Sequence, residues 1–140
     1  MSGFTKAELA YLSEHNLARL ATATAAGTPH VVPVRFQYDV ARNVIGIGSH
    51  RLPDGIRPRR YRHNVNDNDQ VALVIDDFSD EGPRGITIHG VGRIHAEGGE
   101  RLNPRFEPIW LAVLPIWVSS WGIDTPSLAP PYSRWITERS

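Results

Sequence analysis

Four arginines fall within six residues of this chain: Arg57, Arg59, Arg60 and Arg62. The protein carries 15 Lys+Arg against 15 Asp+Glu, so a neutral molecule concentrates four of its cations in one short segment. Guanidinium forks grip phosphates and carboxylates bidentately, each charge-assisted bond contributing about 1.5–3 kcal/mol. A cation cluster of this kind suits a phosphate or polycarboxylate ligand; a solvated loop tip is the plain alternative. The cluster follows a Gly-rich strand end (Ile45, Gly46, Ile47, Gly48, Ser49) and precedes an apolar run from Val71 to Ile75. That placement between two strands favours a ligand site. His50 and His63 flank the cluster and are natural contacts for a ligand. Tyr38 and Tyr61 are alternative proton donors, although packing is the commoner fate of a tyrosine.

Other chemistries find less support. His89 and His95 share a face of one strand but lie about 20 Å apart by strand rise, too far for one metal ion. With no cysteine and no HExxH pattern, a metal site is not expected. A G-x-S-x-G elbow is missing, as are paired carboxylates at a telling spacing, so no hydrolase signature emerges and no obligatory acid or base can be named.

A chain of 140 residues corresponds to one domain over residues 1–140. Its 41% hydrophobic and 21% charged residues describe an ordinary globular protein. Zero net charge argues against broad nucleic-acid binding. No apolar run reaches the roughly 18 residues of a membrane span. The first twenty residues lack a basic stretch followed by an apolar one, and disulfides are impossible, so a cytoplasmic location is expected.

The elements that must position the arginines can be read from periodicity. Thr5-Lys6-Ala7-Glu8 forms a capping box, and Leu9 and Leu12 follow at helical spacing, predicting a helix from Lys6 to about Asn16. Strand character runs over Arg19–Thr24, His30–Tyr38 and Val44–Ser49. In the second of these, Val32, Val34, Phe36 and Tyr38 share one face, and Pro33 marks an edge or a bulge. Leu52–Pro58 reads as loop, and Arg59–Val65 as one or two helical turns. Gln70–Ile75 is a buried strand, Asp76–Pro83 an acidic turn, and Gly85–Ala96 a long strand. The glycines inside that last strand imply a bend or a close backbone approach. One or two more strands cover the stretch with Trp110, Trp117 and Trp121, whose usual fate is core or dimer interface. A Pro-rich tail follows, tied down by Trp135. Six or so strands with short helices, and no βαβ alternation, predict a mainly β fold: a small six-stranded antiparallel barrel.

Several segments resemble one family. Leu17 to Phe36 (LARLATATAAGTPHVVPVRF) is similar to the opening of the pyridoxamine 5'-phosphate oxidase-like split β-barrel proteins. Arg60 to Val65 with Gln70 to Asp77, Pro83 to Gly90, and Ser120 to Asp124 resemble later elements, the last two those of the actinobacterial branch that uses the deazaflavin coenzyme F420. The resemblance covers about residues 5 to 124. It implies a Greek-key split barrel, a homodimer, and a cofactor site at the dimer interface. Carried over residue by residue, Pro33, Val34 and Arg35 match the strand along the flavin ring. Ser49 matches a small hydroxylic residue near the phosphate, with His50 beside it. Arg59 or Arg60 replaces a phosphate-binding lysine, and Asn64 matches the Asn/Asp that follows; capping the same loop is the alternative role for Asn64. Arg57 extends the basic segment.

Hydride transfer is the cofactor's own chemistry; the protein must hold its anionic tail, present a ring face and exclude water. A deazaflavin tail carries a phosphodiester and carboxylates, so an extended arginine cluster suits F420 better than the single phosphate of FMN. The leading expectation is an F420-dependent reductase of a small organic molecule. An FMN-dependent oxidoreductase is the alternative, and a non-redox or haem-binding member of the same fold is a third reading. No nucleic-acid or membrane partner is expected.

Overall fold

The computed structural model describes residues 3–51, 53 and 59–136. Helix α1 (Lys6–Ser13) is followed by strands β1 (Leu17–Ala23), β2 (Pro29–Asp39) and β3 (Val44–Gly48). Helix α2 (Arg60–Asp67) precedes β4 (Gln70–Ser79), β5 (Gly82–His95), β6 (Trp110–Trp121) and β7 (Tyr132–Trp135), with one short 3-10 turn at Gly99–Arg101. All pairings are antiparallel. The strand order is β3-β2-β1-β4-β5-β6-β7, and β3 also pairs with β6. The first six strands therefore close on themselves as the expected six-stranded mainly β barrel, with β7 added outside the ring.

β6 makes the closure possible by dividing one edge between two partners. Leu111–Val113 pair with Ile45–Ile47 of β3, whereas Trp117–Ser120 pair with β7. Between these stretches the β5–β6 register shifts at His89/Gly90. A side chain at Gly90 would collide with the Leu114 carbonyl oxygen, so glycine is required by close backbone approach, as the sequence implied.

The barrel interior follows the two-residue alternation of the strands. Ala18 and Leu20 point inward from β1, Leu73 and Ile75 from β4, Ile86 and Ile88 from β5, and Val113 and Val118 from β6, each at most 1% exposed. At about 25 cal/mol per Å² of apolar surface, this contiguous core is the main source of stability. Two boundaries differ from the sequence reading. The helix ends at Ser13, before Asn16. The acidic stretch is mostly strand: Ser79 pairs with Gly82, and only Asp80 and Glu81 turn the chain. Gly82, with φ +121°, adopts a conformation that L side chains rarely take and so permits this tight hairpin. Asp77 then stands directly opposite Arg84, which donates to it from Nε at 2.9 Å and Nη2 at 3.0 Å. This pairing holds the Asp77 carboxyl below its ordinary value, helped by the Tyr11 hydroxyl, which donates at 2.8 Å.

The capping box predicted from Thr5 and Glu8 forms, with Thr5 N–H donating to Glu8 Oε1 at 2.8 Å and Glu8 N–H to Thr5 Oγ1 at 3.0 Å. Glu8 has a second role that its local sequence does not announce. Its side chain is fully buried and also accepts bonds from Ser120 Oγ at 2.7 Å and Arg134 Nη1 at 3.0 Å. Arg134 Nη2 donates to the other carboxylate oxygen and to the Gly3 carbonyl. One ion pair thus fastens α1 to β6 and to the tail strand β7. Burial disfavours the Glu8 carboxylate, but the Arg134, Thr5 and Ser120 bonds together outweigh it, and its pKa lies below the ordinary 4.5.

Glu8→Ala is expected to cost about 3–5 kcal/mol in urea denaturation at neutral pH, because the partly buried Arg134 charge loses its carboxylate partner. Since the folded-state pKa is lowered, the Glu8 contribution is complete above the unfolded value of 4.5 and disappears as pH falls below it. The wild-type protein should therefore lose stability below that pH more steeply than the Ala variant.

Candidate functional site

β2 has neighbours on both sides for only part of its length. Pro29–Arg35 pair with β1, but β3 joins β2 only from Arg35 onward, where Arg35 faces Gly48. The half containing Pro33 is therefore an edge, which suits a residue with no N–H to give a ladder. Beyond Gly48 the chain leaves β2, and His50 forms an isolated bridge with Phe106. The gap between the two strands is a cavity of about 500 Å³, floored by Val32, Pro33 and Val34 and walled by Ser49, His50 and the start of α2.

Most of the residues nominated from the sequence converge there. Pro33, Val34, Arg35, Ser49, His50, Arg59 and Arg60 all line the cavity. Ser49 Oγ lies 2.9 Å from Tyr61 Oη in a buried bond that fixes the β3 end against α2. Tyr61 is only 2% exposed, so it serves in packing and in this bond. His50 packs edge-on against Phe106, with ring centroids 5.2 Å apart. Arg57 lies outside the described residues.

The arginine cluster is divided rather than used as a block. Arg62 is buried and turns away from the cavity to pair with Glu107, leaving its Nε without a partner. Arg59 reaches the same carboxylate oxygen at 3.5 Å and donates to the His50 carbonyl at 3.2 Å. The Glu107 N–H in turn donates to the Ser49 carbonyl at 3.0 Å. Glu107 therefore joins β3, α2 and the segment before β6 at one point. Nothing in the local sequence, Arg105-Phe106-Glu107-Pro108, marks it; the one available signal was that four clustered arginines need a counter-charge. Arg60 and Arg35 are exposed and have no acidic partner among the described residues.

Asn64 is a correction to the site. It sits in the interior of α2, 2% exposed, and its amide donates to Thr22 Oγ1 at 3.0 Å, outside the cavity lining. Nor does it cap the helix, whose N-cap is Arg59 without a side-chain bond. The helical period explains both facts: Tyr61, Asn64 and Val65 form the face of α2 that covers the barrel end. His63 falls on the opposite face, where it pairs with Asp67 at 3.4 Å, away from the cavity. His30, not singled out in the sequence, is half-buried and lines the cavity. Among the described residues, the cavity lining contains three arginines and no carboxylate. Among the described residues no three His, Asp or Glu side chains gather as a metal site would require.

This geometry meets its counterpart in known proteins. Residues 4–111 match the family described as pyridoxamine 5'-phosphate oxidase. The chain belongs to that family. It is 36% identical over 137 residues to the 5a,11a-dehydrotetracycline/5a,11a-dehydrooxytetracycline reductase of Streptomyces rimosus, covering 96% of this chain and 94% of that one. Among solved structures, a protein from Clostridium acetobutylicum related to general stress protein 26, of the pyridoxinephosphate oxidase family, superposes with a TM-score of 0.65 at 14% identity, covering 92% of each chain. An FAD-binding protein from Mesorhizobium loti superposes with a TM-score of 0.63 at 18% identity, covering 84% of this chain and 92% of that one. Both likenesses establish the split-barrel fold.

Glu107→Gln should destabilise the fold by about 3–5 kcal/mol, because it strands the buried Arg62 charge. Arg60→Gln, on the exposed rim, should stay within about 0.5 kcal/mol of wild type. Thermal and urea unfolding of the two variants side by side checks the contrast.

Proposed function

We propose that this protein is an F420-dependent reductase that delivers a hydride to an unsaturated organic substrate and works as a homodimer with a cofactor site at each interface. The observation that carries this reading is the cavity itself. An apolar strand, Val32-Pro33-Val34, can lie along a flat ring, and Arg35, Arg59 and Arg60 stand around it with no carboxylate among the described lining residues. Such an electropositive cleft fits a tail with several negative groups better than it fits one phosphate. Arg59 is held in place by Glu107 and the His50 carbonyl, so it pays little of the ordering cost of binding. Arg60, which like Arg35 has no acidic partner among the described residues, supplies the stronger new contact. Ser49, tied to Tyr61, sets the backbone at the cavity wall.

When bound, the deazaflavin supplies the hydride. This chain's part is to grip the tail, seat the ring on the β2 edge and keep water from the reacting face. The Streptomyces relative is named for reducing a dehydrotetracycline, and an unsaturated polycyclic skeleton is the substrate class we assign here by that likeness. FMN remains the alternative cofactor, supported by family membership and by the FAD-binding fold-mate. Location in the cytoplasm and a single functional domain over residues 1–140 belong to the same reading.

The dimer is supported by the outer barrel face. Pairing registers carry one row across six strands: Val31, Ala21, Ala72, His89, Trp117 and Trp135 stand opposite one another in turn. Val31 is 64% and Trp135 58% exposed. An apolar row of this kind, bordering the cavity through Pro33, suits a second copy that would complete the cofactor site.

Titration of the purified protein with F420, FMN and haemin, followed by fluorescence or absorbance, tests the cofactor assignment; tight binding is expected for F420, and preference for FMN or haemin would overturn it. Arg60→Gln should weaken F420 binding about 10- to 100-fold, the loss of one charge-assisted contact. Ala72→Asp, in the centre of the outer row, should shift sedimentation from dimer to monomer without unfolding the barrel.

A further inference from the structure

A second cavity, of about 400 Å³, opens beside the first, between the end of α1, the outer half of β2 and the segment following the 3-10 turn. Its base is apolar, built from Leu12, Phe36, Leu102 and Phe106. Leu102 can settle there because it packs on Gly46; a Cβ at that position would stand 2.7 Å from Leu102 Cδ2. The volume is within the range of small-molecule sites, about 300–1,000 Å³.

Charge decides what such a cavity can hold. Among the described residues, no carboxylate lines it. His15 borders it, but its Nδ1 lies 2.7 Å from the Tyr11 carbonyl and its Nε2 faces Asp77 at 3.7 Å, so both ring nitrogens are directed to protein acceptors. The permanent charge left in the lining is Arg35, and Arg35 also lines the first cavity. One guanidinium thus stands between the two chambers, exposed and without an ion-pair partner among the described residues.

We infer that this second cavity seats the organic substrate as an apolar anion, a carboxylate or enolate whose oxygen is held by Arg35 at the boundary with the first cavity. The assignment rests on the reductase reading above and adds to it a location and a charge for the substrate. Arg35 is then a specificity-determining residue. It orients the anionic oxygen towards the β2 edge, while the carbon skeleton lies on Leu12, Leu102 and Phe106. A neutral molecule of the same shape would leave the guanidinium unmatched and be bound less well.

The probe is 2-naphthoate, with neutral 2-naphthamide as its isostere, titrated into the full-length protein and followed by backbone amide shifts. The naphthoate is expected to move the amides of Leu12, Gln37 and Leu102 more than those of Ser49 and Tyr61, and to bind about 10-fold more tightly than the amide. Arg35→Gln should erase that preference. Ser13→Trp, at an exposed rim position, should fill the mouth and abolish naphthoate binding while leaving F420 affinity unchanged. Equal affinity for the two probes, or shifts confined to Ser49 and Tyr61, overturns the assignment. So does conversion of a dimer to a monomer by Ser13→Trp, which would show that a second copy fills the cavity. If naphthoate binds as described but F420 does not bind at all, the second cavity stands as an anion seat and the cofactor reading alone falls.

Discussion

The structure depends on how β6 shares its edge. A six-stranded sheet closes only if its last strand reaches its first, and here Leu111–Val113 of β6 must meet Ile45–Ile47 of β3. That contact draws the end of β3 towards the segment that leads into β6. Ser49, His50, Phe106 and Glu107 are consequently brought together, although more than fifty positions separate them in sequence. The same closure pulls β3 away from the first half of β2. The functional cavity is the gap that results, so the barrel and its site are products of one constraint.

Two ion pairs then secure what closure has arranged, in different ways. Glu8 is fully buried, satisfied by Thr5 and Ser120, and with the partly buried Arg134 it holds the terminal elements on the barrel. Glu107 is only partly enclosed and holds two arginines, one buried and one on the cavity wall. A pair of this kind adds modest net stability, since desolvation offsets much of the attraction. Its larger effect is to orient: Arg62 is turned inward, Arg59 is placed at the wall, and Arg60 is left without an acidic partner among the described residues.

The proposed cofactor and substrate seats rest on the two cavities and the outer row taken together. Among the described residues neither cavity is lined by a carboxylate, and Arg35 belongs to both. The outer row of Val31, Ala21, Ala72, His89, Trp117 and Trp135 runs next to them across six strands.

Much of this was legible in the amino-acid sequence. Local signals are sufficient for the capping box of α1, the alternation of β2 and β5, the edge character at Pro33 and the close approach at Gly90, because each depends on residues within a few positions. Family motifs were enough to nominate seven of the residues that line the cavity. The sequence could not reveal which arginines were free. Arg62 and Arg60 are two positions apart and chemically identical; the helical turn and a distant Glu107 bury one and expose the other. Asn64 was misassigned for the same reason, since the face of α2 that meets the barrel is set by packing against β1 and β5. The tail strand β7 was hidden because Tyr132–Trp135 is too short to signal itself and forms only on the free edge of β6. Composition and local pattern determined the barrel, its strands and the presence of a basic site. Tertiary structure alone decided the pairing of charges, because an ion pair depends on distance in space, and closure of the barrel sets those distances.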